Sequence, residues 1–245
     1  MTTIEIQLHN IQHRIAQACA LAQRLPASIK LLAVSKTFGA DAVREAVLAG
    51  QRSFGENYIQ EGVEKIAAVR AMALPGAQSL QWHCIGPIQS NKTRLVAENF
   101  DWVQTVDRLK IAQRLSEQRP NSLAPLQICL QVNVDGAASK SGVTPDELLA
   151  LVAAVVQMPR LVLRGLMSIP DDAAGFEAQK QVHSQAHALF EQVKSSGLPG
   201  LAQFDTLSMG MTGDLDAAVA AGSTMVRVGS GIFGQRNYGA APSGL

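Results

Sequence analysis

A lysine follows a run of apolar residues near the start of the chain. The segment LLAVSK, residues 31–36, predicts a buried strand that ends in a polar pair, Ser35 and Lys36. Lysine is seldom placed at the edge of a protein core unless its ammonium group reaches water or a partner. A primary amine that is partly desolvated beside another cation is also a nucleophile towards aldehydes. Lys36 is therefore the first candidate for covalent chemistry.

Two later segments combine glycines with hydroxyl side chains. The first is SMGMTG, which begins at Ser208, and the second contains Gly229 and Ser230. Glycines let a phosphate group approach the backbone, and serine or threonine hydroxyls donate hydrogen bonds to its oxygens. Together the two segments indicate a phosphate site, whereas either one by itself is also typical of a tight turn.

Eight apolar segments alternate with segments of helical periodicity along the chain. The predicted strands are 31–35, 52–55, 81–86, 102–106, 126–134, 161–169, 204–209 and 225–229. The predicted helices are 40–48, 57–72, 91–99, 108–118, 145–157, 175–196 and 214–221, preceded by an extra helix at 3–25. In a chain of 245 residues this alternation predicts an α/β protein, a single (β/α)₈ TIM barrel forming one domain over 1–245. A doubly wound open sheet is the alternative, because sequence alone does not show closure.

A closed barrel would gather the candidate residues at one end. The carboxyl ends of the strands form the active face of such a barrel, and the first strand lies beside the eighth. Lys36, Arg227 and the two glycine-rich loops would then share one pocket. Arg227 lies two residues before Gly229, so both point to the same side of the strand. An outward arginine that pairs with a helix carboxylate is the alternative.

A phosphorylated aldehyde fits a pocket with these groups. With pyridoxal 5′-phosphate (PLP), the aldehyde would form an imine with Lys36, the phosphate would bind the two loops, and the ring nitrogen would face Arg227. The residues alone leave two alternatives open. One is a phosphosugar enzyme that uses Lys36 in the same way, and the other is a lysine that only extends to solvent.

Composition and spacing argue against several other classes of protein. A net charge of +1 gives no sign of a nucleic-acid partner, and no segment reaches the roughly 18 apolar residues of a membrane span. Cys19, Cys84 and Cys129 lack metal-ligand spacing and are expected to be reduced, buried thiols. His183 and His187 lie on a predicted helix rich in Gln, Lys and Glu, which favours a solvated face over a metal site. We expect a cytoplasmic protein and a monomer.

The same motifs resemble those of a known family. LLAVSKT, FGENYIQE, WHCIGPIQSNK, RGLMSIP and LSMGMTGDLDAAVAAGSTMVRVG are similar to motifs of the pyridoxal phosphate homeostasis proteins, the YggS/PROSC family, and the resemblance covers residues 30–236. It implies a barrel like the N-terminal domain of alanine racemase, with PLP on Lys36 and the pyridine nitrogen facing Arg227. It also implies further cofactor-binding residues, namely Ser208, Gly229 and Ser230 at the phosphate, with Asn57 and His83 lining the pocket.

The resemblance implies a carrier of PLP, which binds, stores or delivers the cofactor, with recipient apoenzymes as candidate partners. The alternative is a PLP-dependent amino acid racemase of the alanine racemase type. The resemblance implies that a racemase takes its second base from a tyrosine of another domain. This chain ends at Leu245, soon after the predicted barrel closes, so we expect no amino acid turnover.

Two features depart from the family pattern or extend it. Thr212 and Gly213 stand where the family more often has serine and an acid, although a hydroxyl is kept. Lys140, in the segment SKSG, lies on the predicted active face and is a candidate for a second, weaker contact with the aldehyde. Simple exposure to solvent is the alternative for Lys140.

Overall fold

The chain forms a closed barrel of eight parallel strands in chain order. The computed structural model describes residues 1–134, 136 and 141–235. The strands are β1 (Lys30–Val34), β2 (Ser53–Glu56), β3 (Gln81–Cys84), β4 (Trp102–Val106), β5 (Leu126–Val132), β6 (Leu161–Ser168), β7 (Thr206–Ser208) and β8 (Met225–Val228). Pairing of β1 with β8, in which Leu32 lies opposite Arg227, closes the barrel and excludes the open sheet. The predicted fold class is confirmed, whereas one domain over 1–245 stays a prediction.

Helices cover the outside of the barrel, and all predicted helices are present. They are α1 (Thr3–Leu21), α2 (Ala40–Leu48), α3 (Ile59–Ala71), α4 (Thr93–Asn99), α5 (Leu109–Gln118), α6 (Pro145–Val155), α7 (Phe176–Lys194), α8 (Leu215–Ala220) and α9 (Ser230–Phe233). The α9 helix was not predicted, because four residues show no helical period. The α1 helix begins with a capping box between Thr2 and Glu5. It ends at Leu21, four residues before the end predicted at residue 25. Gln23 ends it by adopting a left-handed conformation, with φ 54°.

The main hydrophobic core lies between the outer face of the barrel and the helices. Apolar residues from every strand take part in it, and the largest buried side chains include Phe54, Trp82 and Phe100. The barrel interior differs from an aliphatic core, because a line of buried polar side chains runs through it. This polar interior was not predicted, and it lies directly beneath the mouth of the barrel.

Several smaller predictions can be compared with the described residues. Cys19, Cys84 and Cys129 are free and buried, as expected, and burial raises the pKa of the Cys84 thiol to about 12. The solvated-face prediction is wrong for His183, which is buried with Nε2 2.9 Å from Asp214 Oδ2. The pattern of α7 missed this contact because Asp214 lies 31 positions further along the chain.

Two kinds of feature are absent from the described part of the chain. None of its helices is both long enough and apolar enough to cross a membrane. No group of three or more His, Cys, Asp or Glu side chains within it is arranged to hold a metal ion.

Candidate functional site

A cavity of about 390 Å³ opens at the carboxyl end of the strands. Its volume lies in the range of roughly 300–1,000 Å³ that is usual for small-molecule sites. Val34, Phe38, Ile85 and Ile169 supply apolar walls. The rest of the lining consists of Lys36, Asn57, Met211–Gly213, Arg227, Gly229, Ser230 and Gly234. Five of the seven predicted site residues therefore line one cavity, and Ser208 and His83 do not.

Lys36 lies on a turn just beyond β1, not within the strand. The turn is closed by a hydrogen bond from Phe38 N to Ser35 O of 3.1 Å, and Lys36 is half-buried. Ser35 is fully buried and donates from Oγ to Glu56 Oε1 at 2.6 Å. The two residues of the polar pair thus have different roles. Ser35 belongs to the interior, and Lys36 contributes to the cavity wall.

Arg227 points into the barrel from β8 and lies at the base of the cavity. Its Nη1 donates to both the carbonyl and the hydroxyl of Ser208 at 2.8 Å, and Nη2 donates to Ser168 O at 2.9 Å. Burial lowers the pKa of the guanidinium to about 10, so Arg227 is still a cation at neutral pH. The outward arginine considered from the sequence is therefore excluded.

A directed chain of hydrogen bonds continues from Arg227 into the barrel. Ser208 Oγ accepts from Arg227 and donates to Gln104 Oε1 at 2.7 Å. Gln104 Nε2 lies 3.0 Å from His83 Nδ1, which must accept if the amide donates. Burial, with the nearby charge of Lys30, lowers the pKa of His83 to about 3, so the imidazole is neutral. His83 and Ser208 therefore support Arg227 from below.

Gln104 is the member of this hydrogen-bond network that was not predicted from the sequence. It is fully buried in the middle of β4, whose sequence is WVQTV. A lone glutamine in the middle of an otherwise buried strand needs hydrogen-bond partners. That requirement could have identified Gln104 as a site-supporting residue.

Two loops form the remaining rim. In the loop after β7, Met211 N donates to Asp214 Oδ1 at 2.6 Å, and Thr212 O accepts from Arg14 of α1 at 2.7 Å. After β8 the chain enters α9 at Ser230, where the first backbone N–H groups have no partner within the helix. A Cβ atom added at Gly229 would approach the Val34 carbonyl oxygen to 3.3 Å, so this glycine permits close contact between the ends of β1 and β8.

The lining fits a polar, anionic ligand that carries a flat apolar body. Asn57 Oδ1 is buried at the cavity without a hydrogen-bond partner among the described residues. Lys36 and Arg227 are the basic side chains of the lining, and no carboxylate is among the described lining residues. PLP, with its phosphate, aldehyde and pyridine ring, matches this set of groups. Lys140 lies outside the described residues.

Comparisons with known proteins support the fold and identify the family. The family model for the N-terminal domain of alanine racemase matches residues 6–237. A protein of Pseudomonas aeruginosa named pyridoxal phosphate homeostasis protein is 53% identical over 243 residues, which is 99% of this chain and 100% of that one. Alanine racemase of Corynebacterium glutamicum, at 16% identity, has a TM-score of 0.63 over 97% of this chain and 62% of its own, which shows a shared fold.

A solved structure adds a relative with its ligand. PipY of Synechococcus elongatus PCC7942, with PLP bound, is 38% identical, with a TM-score of 0.76 over 90% of this chain and 100% of that one. The fold and the cavity thus define a barrel of the alanine racemase N-terminal type. Within that class, the chain belongs to the family of pyridoxal phosphate homeostasis proteins, which confirms the resemblance found in the motifs.

Proposed function

We propose that this protein binds PLP covalently through Lys36 and acts in PLP homeostasis by storing the cofactor or delivering it to recipient apoenzymes. One observation carries the proposal. The side chains of Lys36 and Arg227 line a single cavity of suitable volume, beside two loops with hydroxyl and glycine residues. The names of the relatives and the PLP-bound PipY structure support the choice of ligand.

Each lining residue has a distinct task in this proposal. PLP supplies an aldehyde, which condenses with a primary amine and releases its oxygen as water. Lys36 provides the amine and, in its neutral form, the electron pair for the new carbon–nitrogen bond. Ser230 and Thr212 would donate from their hydroxyls to the phosphate, and backbone N–H groups at the start of α9 would add to this site.

Arg227 serves the other end of the ligand. Its buried guanidinium would face the ring nitrogen, and Ser208 holds the guanidinium in place through Nη1. We propose that Ser208 acts on the guanidinium, a role that differs from the phosphate contact predicted from the motif. A fixed cation at this position disfavours protonation of the ring nitrogen and so weakens the ring as an electron sink.

The fixed cation of Arg227 and the lack of a second base in the described lining favour a carrier over the alternative, a racemase. Racemisation needs acid–base groups on both faces of the substrate Cα. Tyr58, the one tyrosine among the described residues, is 54% exposed and does not line the cavity. We therefore propose that the protein has no useful amino acid turnover. Recipient apoenzymes, a monomeric state and a cytoplasmic location stay predictions.

A borohydride experiment tests the proposal directly. Protein mixed with PLP is reduced with borohydride, digested and analysed by mass spectrometry. We expect bleaching of the visible absorption and one modified peptide, in which Lys36 carries a phosphopyridoxyl group. Modification spread over many lysines, or none at Lys36, would contradict the proposed site. If the protein instead binds a ligand without visible absorption, the phosphosugar alternative would be favoured.

A further inference from the structure

Three charged side chains meet behind the turn that carries Lys36, outside the cavity. Glu56 ends β2, and Glu61 and Lys65 lie one turn apart on α3. Lys65 Nζ is 2.7 Å from Glu56 Oε1 and 2.9 Å from Glu61 Oε1. The side chains of Glu56 and Lys65 are 0% and 3% exposed, and that of Glu61 is 34% exposed. We call these three residues the Glu56 cluster.

The Glu56 cluster binds the peptide groups on both sides of Lys36. Lys65 Nζ donates to the Ser35 carbonyl at 2.7 Å, and Thr37 N donates to Glu61 Oε1 at 2.7 Å. Glu56 Oε1 also accepts from the Ser35 hydroxyl. The carbonyl before Lys36 and the N–H after it are therefore both held by charged groups. Such charge-assisted hydrogen bonds are stronger and more directional than neutral ones.

The turn needs such support because its backbone is strained. Thr37 has φ 68°, whereas Lys36 has no positive φ, and Phe38 N bonds to Ser35 O. This is the pattern of a type II turn, in which the third residue is usually glycine. A β-branched residue in that conformation is an outlier. External hydrogen bonds to both flanking peptides offset the strain and keep the turn in one conformation.

Stability by itself does not account for the cluster. Taking a lysine and a glutamate out of water costs free energy that their attraction often fails to recover. Glu56 Oε2 adds to this cost, since it is buried without a hydrogen-bond partner among the described residues. A costly arrangement next to the reactive lysine indicates a functional role.

We propose that Glu56, Glu61 and Lys65 are positioning residues for Lys36, which hold the Ser35–Phe38 turn so that the Lys36 amine meets the aldehyde in the cavity. The inference rests on the proposed reaction of Lys36 with PLP. It assigns a role to charged residues that do not touch the ligand. Loss of the support is expected to slow formation of the covalent linkage without weakening the noncovalent site.

Glu61 offers the sharpest test, because it is partly exposed and its removal leaves the Glu56–Lys65 pair intact. In Glu61→Ala we expect the borohydride-reducible linkage at Lys36 to form about tenfold more slowly. Affinity for pyridoxine 5′-phosphate, which has no aldehyde, should be unchanged. Glu64→Ala is the matched control, since Glu64 is an exposed carboxylate on the same helix that bonds to Gln60.

Two rescue variants separate positioning from general damage. Glu61→Gln keeps an oxygen acceptor for Thr37 N and should recover part of the rate. Thr37→Gly in the Glu61→Ala background should also recover it, because glycine adopts a positive φ without strain. In the ligand-free protein, amide hydrogen exchange at Thr37 should be faster in Glu61→Ala and unchanged in Glu64→Ala.

The outcomes distinguish failure of the proposed function from failure of the positioning role. If the native protein forms no reducible linkage at Lys36, the proposed function fails, and the positioning role fails with it. A linkage that forms in Glu61→Ala at the native rate overturns the positioning role alone. The positioning role is also overturned if Glu61→Ala loses affinity equally for PLP and pyridoxine 5′-phosphate. The same holds if Thr37→Gly in the Glu61→Ala background does not recover the rate.

Discussion

Lys36 lies on a turn at the rim of the barrel, so its side chain contributes to the cavity more than to the packing of the core. Ala at this position opens no buried void, and the turn is held by groups on its neighbours. Chemistry and stability are therefore separable at this residue.

Replacing Lys36 by Ala is expected to abolish the reducible linkage while changing the free energy of unfolding by less than about 1 kcal/mol. Absorption spectra and thermal melts measure the two effects. Lys110→Ala, at an exposed position of α5, is the control. A covalent adduct at another lysine with native affinity would show that Lys36 is wrongly assigned. A weak residual adduct at Lys140 would identify a second contact.

His83 should make the stability of the protein depend on pH. Its pKa in the folded state is about 3, below its ordinary value of 6.5, because burial disfavours the charged imidazolium. The unfolded chain therefore binds one more proton between these two values. Stability contributed by this group is present above about pH 6.5 and falls with decreasing pH by up to about 1.4 kcal/mol per pH unit.

His83→Gln removes the titrating group and keeps an acceptor for Gln104. Denaturant unfolding of both proteins between pH 7 and pH 4 measures the difference. The variant is expected to lose less stability over this range, whatever its stability at pH 7. Parallel stability curves for the two proteins would show that His83 is not neutral and buried.

At the scale of elements, the loops after β7 and β8 act as one site because α1 supports the first of them. Arg14 of α1 donates to Thr212 O and pairs with Asp216 of α8 at 2.8 Å. The extra helix in front of the barrel thus has a role at the rim. It fixes the backbone on which the hydroxyl of Thr212 is carried.

PLP is expected to bind far more tightly than pyridoxal, which lacks the phosphate. Each charge-assisted hydrogen bond from the loops is worth about 1.5–3 kcal/mol. Thr212→Ala combined with Ser230→Ala should reduce this difference by at least tenfold in Kd, measured by fluorescence titration. Ser184→Ala, on the exposed side of α7, should leave it unchanged. Equal affinity of the native protein for both ligands would contradict a phosphate site at these loops.

At the scale of the whole molecule, the barrel fold is shared with alanine racemase, whereas Tyr58, the one tyrosine among the described residues, does not line the cavity. Incubation of the PLP-loaded protein with L-alanine in heavy water tests this difference. We expect slow deuterium uptake at Cα at most and no useful formation of D-alanine. Conversion at about 1 per second or faster, the rate of ordinary enzymes, would restore the racemase.

The sequence by itself determined the order of elements and the end of the barrel at which the chemistry lies. Apolar strands alternate with amphipathic helices, and this periodicity is local, so all eight strands were predicted within a few residues. Parallel strands place their carboxyl ends at one rim. That geometry was enough to bring Lys36, Arg227 and the two loops to one pocket.

Only the tertiary structure decided which polar residues lie at the cavity and which lie beneath it. Ser208 and His83 have the residue types of a ligand site, yet both are buried below Arg227 and joined through Gln104. The depth of a side chain depends on the stagger of strands that are distant in sequence.

Pairing at long range decided the remaining features. Lys65 was not singled out from the sequence, and His183 was expected to face solvent. Lys65 is held by Ser35, 30 positions away, and His183 by Asp214, 31 positions away. A buried polar or charged group is stable only where the fold brings it a partner. The local pattern carries no information about that partner, because each contact forms only when neighbouring strand–helix units pack against each other.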